Sequence, residues 1–149
     1  MNKREQNLRI NLRVEPVSLD PRKGNDMVAS QLHFMLFEGL LRLNPDMTLS
    51  PAQAHSYDLS ADGKIYTFHL RDAKWSDGTP VTAYDFEKSW KSLLDITFYS
   101  PDAYLLYAVK NAKRAKMGEI SLQEVGIHSK NAKTLVVELE RPLDRKSVV

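Results

Sequence analysis

The chain contains no cysteine, which removes disulfide staples, thiolate metal sites and a cysteine nucleophile together. Long apolar runs are missing as well. The longest candidate, from Phe34 to Leu43, is interrupted by Glu38, Gly39 and Arg42 and falls short of the ~18 apolar residues of a membrane-spanning helix. Charge of one sign is not in excess: 21 Lys and Arg against 19 Asp and Glu leave a formal charge of +2, so composition gives no general pull toward nucleic acid or membrane surfaces. The opening MNKREQNLRI starts charged but lacks the run of ~7 to 15 apolar residues that a secretory signal needs, and no export signal is expected in it as written.

Catalytic signatures are sparse too. His33, His55, His69 and His128 are far apart in sequence and none stands in an H-E-x-x-H arrangement, so a zinc hydrolase is not expected. There is no G-x-S-x-G elbow, phosphate-binding glycine loop or dinucleotide fingerprint, the nearest glycine turns being Asp62-Gly63 and Asp77-Gly78. Isolated carboxylates such as Asp58 and Glu87 define no pair from sequence alone. No catalytic residue and no metal ligand is assigned.

What is present is enough for one globular domain but not for two complete lobes, with 149 residues that are 42% hydrophobic and 27% charged. Leu8, Ile10, Leu12 and Val14 alternate with polar residues, which predicts a strand ended by Glu15-Pro16. Ser18 to Asn25 reads as a turn-rich polar loop and Asp26 as the cap of the next element. Val28, Leu32, Met35, Leu36 and Leu40 recur at helical spacing, predicting an amphipathic helix that closes near Glu38-Gly39. His33 beside that stripe has no second metal-spaced ligand and is read as a packed or surface residue.

Short strands are expected around Asn44-Pro45-Asp46 and over Ala54 to Leu59, and a hairpin through Asp62-Gly63 into Ile65 to Leu70. Thr82 and Asp85 are spaced as a capping box, and Phe86, Trp90, Leu93 and Leu94 form the apolar stripe of the helix that follows. Ser100-Pro101-Asp102 marks another helix start. The basic stretch Asn111 to Lys116 lacks the interleaved aromatics of a nucleic-acid site and reads as a solvated face. Val125 to His128 and Leu135 to Leu139 predict a last hairpin turning at Lys130-Asn131. The order of elements predicts a mixed α/β (α+β) domain rather than a sandwich, with Phe68, Leu70, Trp75, Phe86 and Trp90 in one core on a mixed sheet.

One run stands out. Trp75-Ser76-Asp77-Gly78-Thr79-Pro80-Val81-Thr82-Ala83-Tyr84-Asp85-Phe86 resembles, almost residue for residue, the signature of the extracellular solute-binding family that includes oligopeptide- and dipeptide-binding proteins of ABC importers. Tyr66 to Arg71, Ser18-Leu19-Asp20-Pro21, Leu36-Phe37-Glu38-Gly39-Leu40, Ser100-Pro101 and Glu138 to Leu143 fit the same family in the same order, so the resemblance runs from Leu8 to Leu143. The signature itself reads as fold-forming, with Trp75 and Phe86 anchoring apolar surface, Asp77-Gly78 turning the chain and Thr82 with Asp85 starting a helix.

The resemblance implies an N-terminal fragment of a periplasmic-binding-protein type II-like fold. Residues 1–40 would supply the first strand and helix of a discontinuous hinge lobe and residues 41–143 most of a small inserted lobe, while the opposing lobe that encloses the ligand would lie elsewhere. It implies a monomeric binder that takes a peptide ligand, uses no cofactor, does not bind nucleic acid, works with ABC transporter permease subunits and meets the membrane only through the permease or a lipid anchor. The location implied is periplasmic or that of a cell-surface lipoprotein. By position in the family, Gly24, Asn25, Asp26 and Met27 form extended main chain beside the ligand backbone, pairing as an added strand would. Asp102 stands where relatives carry an aromatic residue, with Tyr104 nearby, and the resemblance implies both as ligand-binding positions. The last six residues, 144–149, depart from the family pattern and read as an artefactual tail. A standalone protein-interaction domain, or a binder of a nickel chelate, haem or sugar, is the alternative.

Overall fold

The computed structural model describes residues 9–24 and 26–143. Its centre is a four-stranded sheet built from β3 (Ala54–Leu59), β4 (Ile65–Leu70), β5 (Ile127–Asn131) and β6 (Thr134–Glu138), in the order β3-β4-β6-β5 and antiparallel at every pairing. A small hairpin of β1 (Leu41–Leu43) and β2 (Leu49–Pro51) precedes it. The mixed sheet expected from the sequence is therefore an antiparallel one. Side-chain alternation explains its buried face: Phe68 and Leu70 on β4, Leu135 and Val137 on β6 and Ile127 on β5 all point inward. Phe68 pairs with Leu135 and Tyr66 with Val137 across the ladder.

Helix α2 (Ala83–Leu93) covers the β5 and β6 side of that face. It starts where the capping box places it: the Thr82 amide donates to the Asp85 carboxylate at 2.8 Å and the Thr82 hydroxyl to the same oxygen at 2.9 Å. Leu94 at its end is fully buried, and Phe86 and Trp90, set edge to face at 6.5 Å, are partly buried against the core. Trp75 is not a core residue. It is 43% exposed in a tight turn held by Gly78 N donating to Trp75 O and Trp75 N to Thr79 O, so the run from Trp75 to Phe86 builds a turn and a helix cap and its first aromatic stays at the surface.

A short 3₁₀ turn, Ala103–Leu106, follows Ser100-Pro101-Asp102 in place of the expected longer helix; α3 (Ala112–Lys116) and a 3₁₀ turn at Leu122–Glu124 complete the body. The last hairpin turns at Ala132-Lys133, two residues later than expected, because β5 carries a bulge between Ser129 and Asn131 and Asn131 pairs with Thr134.

The N-terminal part is built differently. No strand forms over residues 9–14; Arg13 has a φ of 64° and Val14 N donates to Leu12 O, a turn that breaks the alternation. A period of two yields a strand only where a partner strand is available to pair with it, and the described residues supply none there. Leu8 and residues 144–149 lie outside the described part. Helix α1 (Met27–Leu36) ends before Glu38-Gly39, and its expected stripe is only partly covered: Val28 and Leu32 are half-buried, while Met35 and Leu36 are exposed.

Candidate ligand-binding site

The loop ahead of α1 is pinned by three short-range devices. Asp20 takes the Arg22 guanidinium in a two-pronged pair, Nε to Oδ1 at 2.9 Å and Nη2 to Oδ2 at 2.7 Å. The Arg22 guanidinium beside Asp20 outweighs partial burial and holds that carboxyl at about 2, against an ordinary value of 3.8. The Asp20 carbonyl then accepts from the amides of Lys23 and Gly24. Gly24 is buried so tightly that a Cβ would come within 2.6 Å of the Ser18 carbonyl oxygen and 3.1 Å of the His33 ring, and no other residue fits there without moving the loop. Asp26 caps α1, accepting from Ala29 N at 2.9 Å through one oxygen and from Val17 N at 3.1 Å through the other; the Ala29 N–H is the main cause that holds its carboxyl below the usual range.

Of the residues that the resemblance nominates, Gly24 and Asp26 thus form one rigid corner. Asn25 lies outside the described residues. Met27 is the first residue of α1, with its side chain exposed, so the run is not the extended strand expected of it: the Asp26 cap turns the backbone into a helix at that point. Asp102 is half-buried at the head of the 3₁₀ turn, where its carbonyl accepts from Leu105 N, and Tyr104 is exposed. Among the described residues no hydrogen bond or ring contact joins Asp102 or Tyr104 to Gly24, Asp26 or Met27.

Sequence reasoning missed the groups that hold this end of the molecule together. Glu38, at the exit of α1, gathers Arg42 at 2.9 Å, Gln53 at 2.7 Å and Arg71, tying α1 to β1 and to the end of β4. Lys116, from the stretch read as a solvated face, instead turns inward: its ammonium donates to the carbonyls of Leu93, Asp95 and Phe98 at 3.0, 2.9 and 2.6 Å. Its neighbours Lys113 and Arg114 are exposed as expected. The i, i+4 spacing of Glu38 and Arg42 was a visible signal; nothing in the sequence marked Lys116.

Two grooves among the described residues do not include the nominated residues. One of about 480 Å³ runs along α2 past Tyr84, Glu87, Lys91 and Leu122; the other, about 290 Å³, lies among Tyr66, Phe68, Trp90 and Leu139. The corner formed by Gly24 and Asp26 is one wall of a surface rather than an enclosed pocket, and a ligand held there needs a second wall. Among the described residues no group of three metal-ligating side chains converges, and no helix is long and apolar enough to cross a membrane.

The described residues thus form an antiparallel sheet behind a capping-box helix, preceded by a polar loop pinned by short-range bonds. Residues 48–148 match the family of bacterial extracellular solute-binding proteins, family 5 middle. The chain belongs to that family, which is one of solute binders and not of catalysts. It is 45% identical over 142 residues to the oligopeptide-binding protein OppA of Bacillus subtilis, an alignment that covers 95% of this chain and 26% of that protein. Among solved structures it resembles Haemophilus influenzae OppA in complex with the peptide RPPGFSPFR, with a TM-score of 0.84 and 38% identity over 89% of this chain and 26% of that one. The Escherichia coli murein tripeptide-binding protein MppA gives 0.82 and 40% over 87% and 26%. The chain thus spans about a quarter of the length of the relatives it matches.

Proposed function

We propose that this chain is the N-terminal quarter of a substrate-binding component of an ABC importer, which captures oligopeptides or dipeptides outside the cytoplasmic membrane and hands them to the permease subunits. In this reading residues 1–40 belong to a large lobe and residues 41–143 to a small one. The protein is a monomer held near the membrane by the permease or a lipid anchor, in the periplasm or on the cell surface. The loop from Gly24 to Met27 presents main chain to the ligand, with Asp102 and Tyr104 as further contacts. The observation that carries it is the loop ahead of α1, whose backbone the Asp20 turn and the Asp26 cap hold in one pose: a loop fixed in this way suits contacts that are indifferent to ligand side chains, as a binder of varied peptides requires. The relatives named for oligopeptides and murein peptides point to the same ligand class.

Because Met27 opens a helix, proline there loses no helical bond, and the informative change is Gly24→Ala, whose Cβ must displace the Ser18 carbonyl. Titration calorimetry of the full-length protein with a mixed peptide library should show tight binding that Gly24→Ala weakens at least tenfold. The isolated 149-residue chain should show no tight binding. Submicromolar binding by the isolated chain would overturn the two-lobe account; a full-length protein silent to peptides but responsive to a nickel chelate, haem or sugar would move the ligand to that class.

A further inference from the structure

Three cations, Arg22, Lys23 and Lys116, converge on one short stretch of chain behind the candidate loop. The Arg22 guanidinium lies 4.8 Å from the centroid of the Phe98 ring and the Lys23 ammonium 5.3 Å from the same centroid, both inside the ~6 Å over which a cation is attracted to an aromatic face. Arg22 also donates to Ser92 Oγ at 3.0 Å, at the C-terminal end of α2. The Phe98 carbonyl in turn accepts from Lys116, whose other two bonds go to Leu93 and Asp95. A continuous line of contacts therefore runs from α3 through Lys116 to the backbone of residues 93–98, through the Phe98 ring to Arg22 and Lys23, and from there into the Asp20 turn and Gly24.

Phe98 is half-buried and is not among the residues packed on the main core, so its ring is not needed to fill that core. The Asp20 pair fixes the plane of the Arg22 guanidinium, and a fixed plane is what stacking on a ring requires. Among the described residues Lys23 has no carboxylate partner, which leaves the ring face as its neighbour.

We propose that Phe98 is a positioning residue for the ligand-contact loop: with its backbone carbonyl anchored by Lys116, its ring receives Arg22 and Lys23 and so sets the pose in which the Gly24 corner meets the ligand. The assignment rests on the reading of that loop as a ligand contact, and it adds a residue that touches no ligand itself.

Amide hydrogen exchange of the 149-residue chain tests it directly. Phe98→Leu keeps apolar bulk but removes the ring face, and should speed exchange at the Lys23 and Gly24 amides about tenfold, as loss of two cation contacts implies. Phe98→Tyr, which keeps the face, should restore wild-type exchange, and amides in β4 and β6 should not respond to either change. Unaltered Lys23 and Gly24 exchange in Phe98→Leu would overturn the proposal, and so would equal acceleration throughout the sheet, which would make Phe98 a general structural residue. In the full-length protein, peptide affinity should fall with Phe98→Leu and return with Phe98→Tyr. Loosened amides with unchanged affinity would sustain the contact line and remove the loop from the ligand site, so the two readings fail separately.

Discussion

The two halves of this chain are stabilised by different physics. In the sheet body, β4, β5, β6 and α2 bury Phe68, Leu70, Leu94, Ile127, Leu135 and Val137 against one another. In the N-terminal part, α1 buries Ala29 alone, and Phe34, Met35, Leu36 and Phe37 stand at the surface, Phe34 being 88% exposed. What fastens that part is polar: the Asp26 cap, the Asp20–Arg22 pair, the cations on Phe98 and the Glu38 cluster. An isolated exposed apolar residue is ordinary, but three exposed at the end of α1 followed by a fourth at its C-cap are more apolar surface than a short helix usually leaves in water. The sheet body carries its own core, and the N-terminal part carries exposed apolar surface.

The sharpest way to break that contrast is to cut into the body. Leu135 is fully buried in the central strand β6, opposite Phe68, and Leu135→Ala should cost about 3 kcal/mol through lost transfer energy and the cavity left behind. Urea unfolding of the two proteins measures it. A cost below about 1 kcal/mol would mean that the sheet is not where the apolar stabilisation resides.

A second change asks whether the body also depends on a partly buried polar device. Lys116→Met keeps most of the side-chain length but strips three carbonyls of their donor. Hydrogen bonds from a charged group are worth more than neutral ones, and the orphaned acceptors sit near the end of α2, so a loss of about 2 kcal/mol is expected in the same assay. No measurable loss would return Lys116 to the solvated face that the sequence suggested.

That case shows where sequence reading succeeds and where it stops. Local rules placed α2 and its cap, the β3–β4 hairpin and the Asp26 cap, because each is set by residues within a few positions of one another. The same rules misplaced Trp75, whose burial depends on what lies opposite its turn, and read a strand through residues 9–14, where alternation was present but a partner was not. At the candidate site, the loop was found by resemblance and its cap by spacing. The helical start at Met27 follows from that local cap and overrides the extended run that the resemblance implied, whereas the contacts of Arg22 and Lys23 with Phe98 link distant parts of the chain and left no local mark.

A smaller effect separates the polar fastenings from the core through pH. The Asp20 carboxyl is held at about 2 in the folded chain against an ordinary value of 3.8, so the unfolded state binds its proton more readily. The pair's contribution is then fully present above about pH 4 and is lost as pH falls from there toward 2. Both partners are about a third exposed, so solvent screening reduces it to about 1 kcal/mol. Asp20→Asn should flatten the stability profile by that amount between pH 4 and 2 while leaving the slope due to the other acidic groups. An unchanged profile would mean that the pair is too well solvated to fasten the loop.

The smallest expected effect is also the most discriminating between the two regions. Phe34 is a large apolar residue on α1 with most of its surface in water, and in the 149-residue chain Phe34→Ser removes almost no buried area. Stability by urea unfolding should therefore change by less than about 0.5 kcal/mol, against about 3 kcal/mol for Leu135→Ala. If the rest of a large lobe covers α1 in the full-length protein, the same substitution there buries a hydroxyl in place of a phenyl ring and should cost about 3 kcal/mol. The comparison of one substitution in two contexts cancels any intrinsic effect of serine on the helix. Equal small costs in both would show that α1 stays uncovered in the whole protein and that its apolar face serves some contact other than the lobe; equal large costs would show that the face is already packed in the short chain.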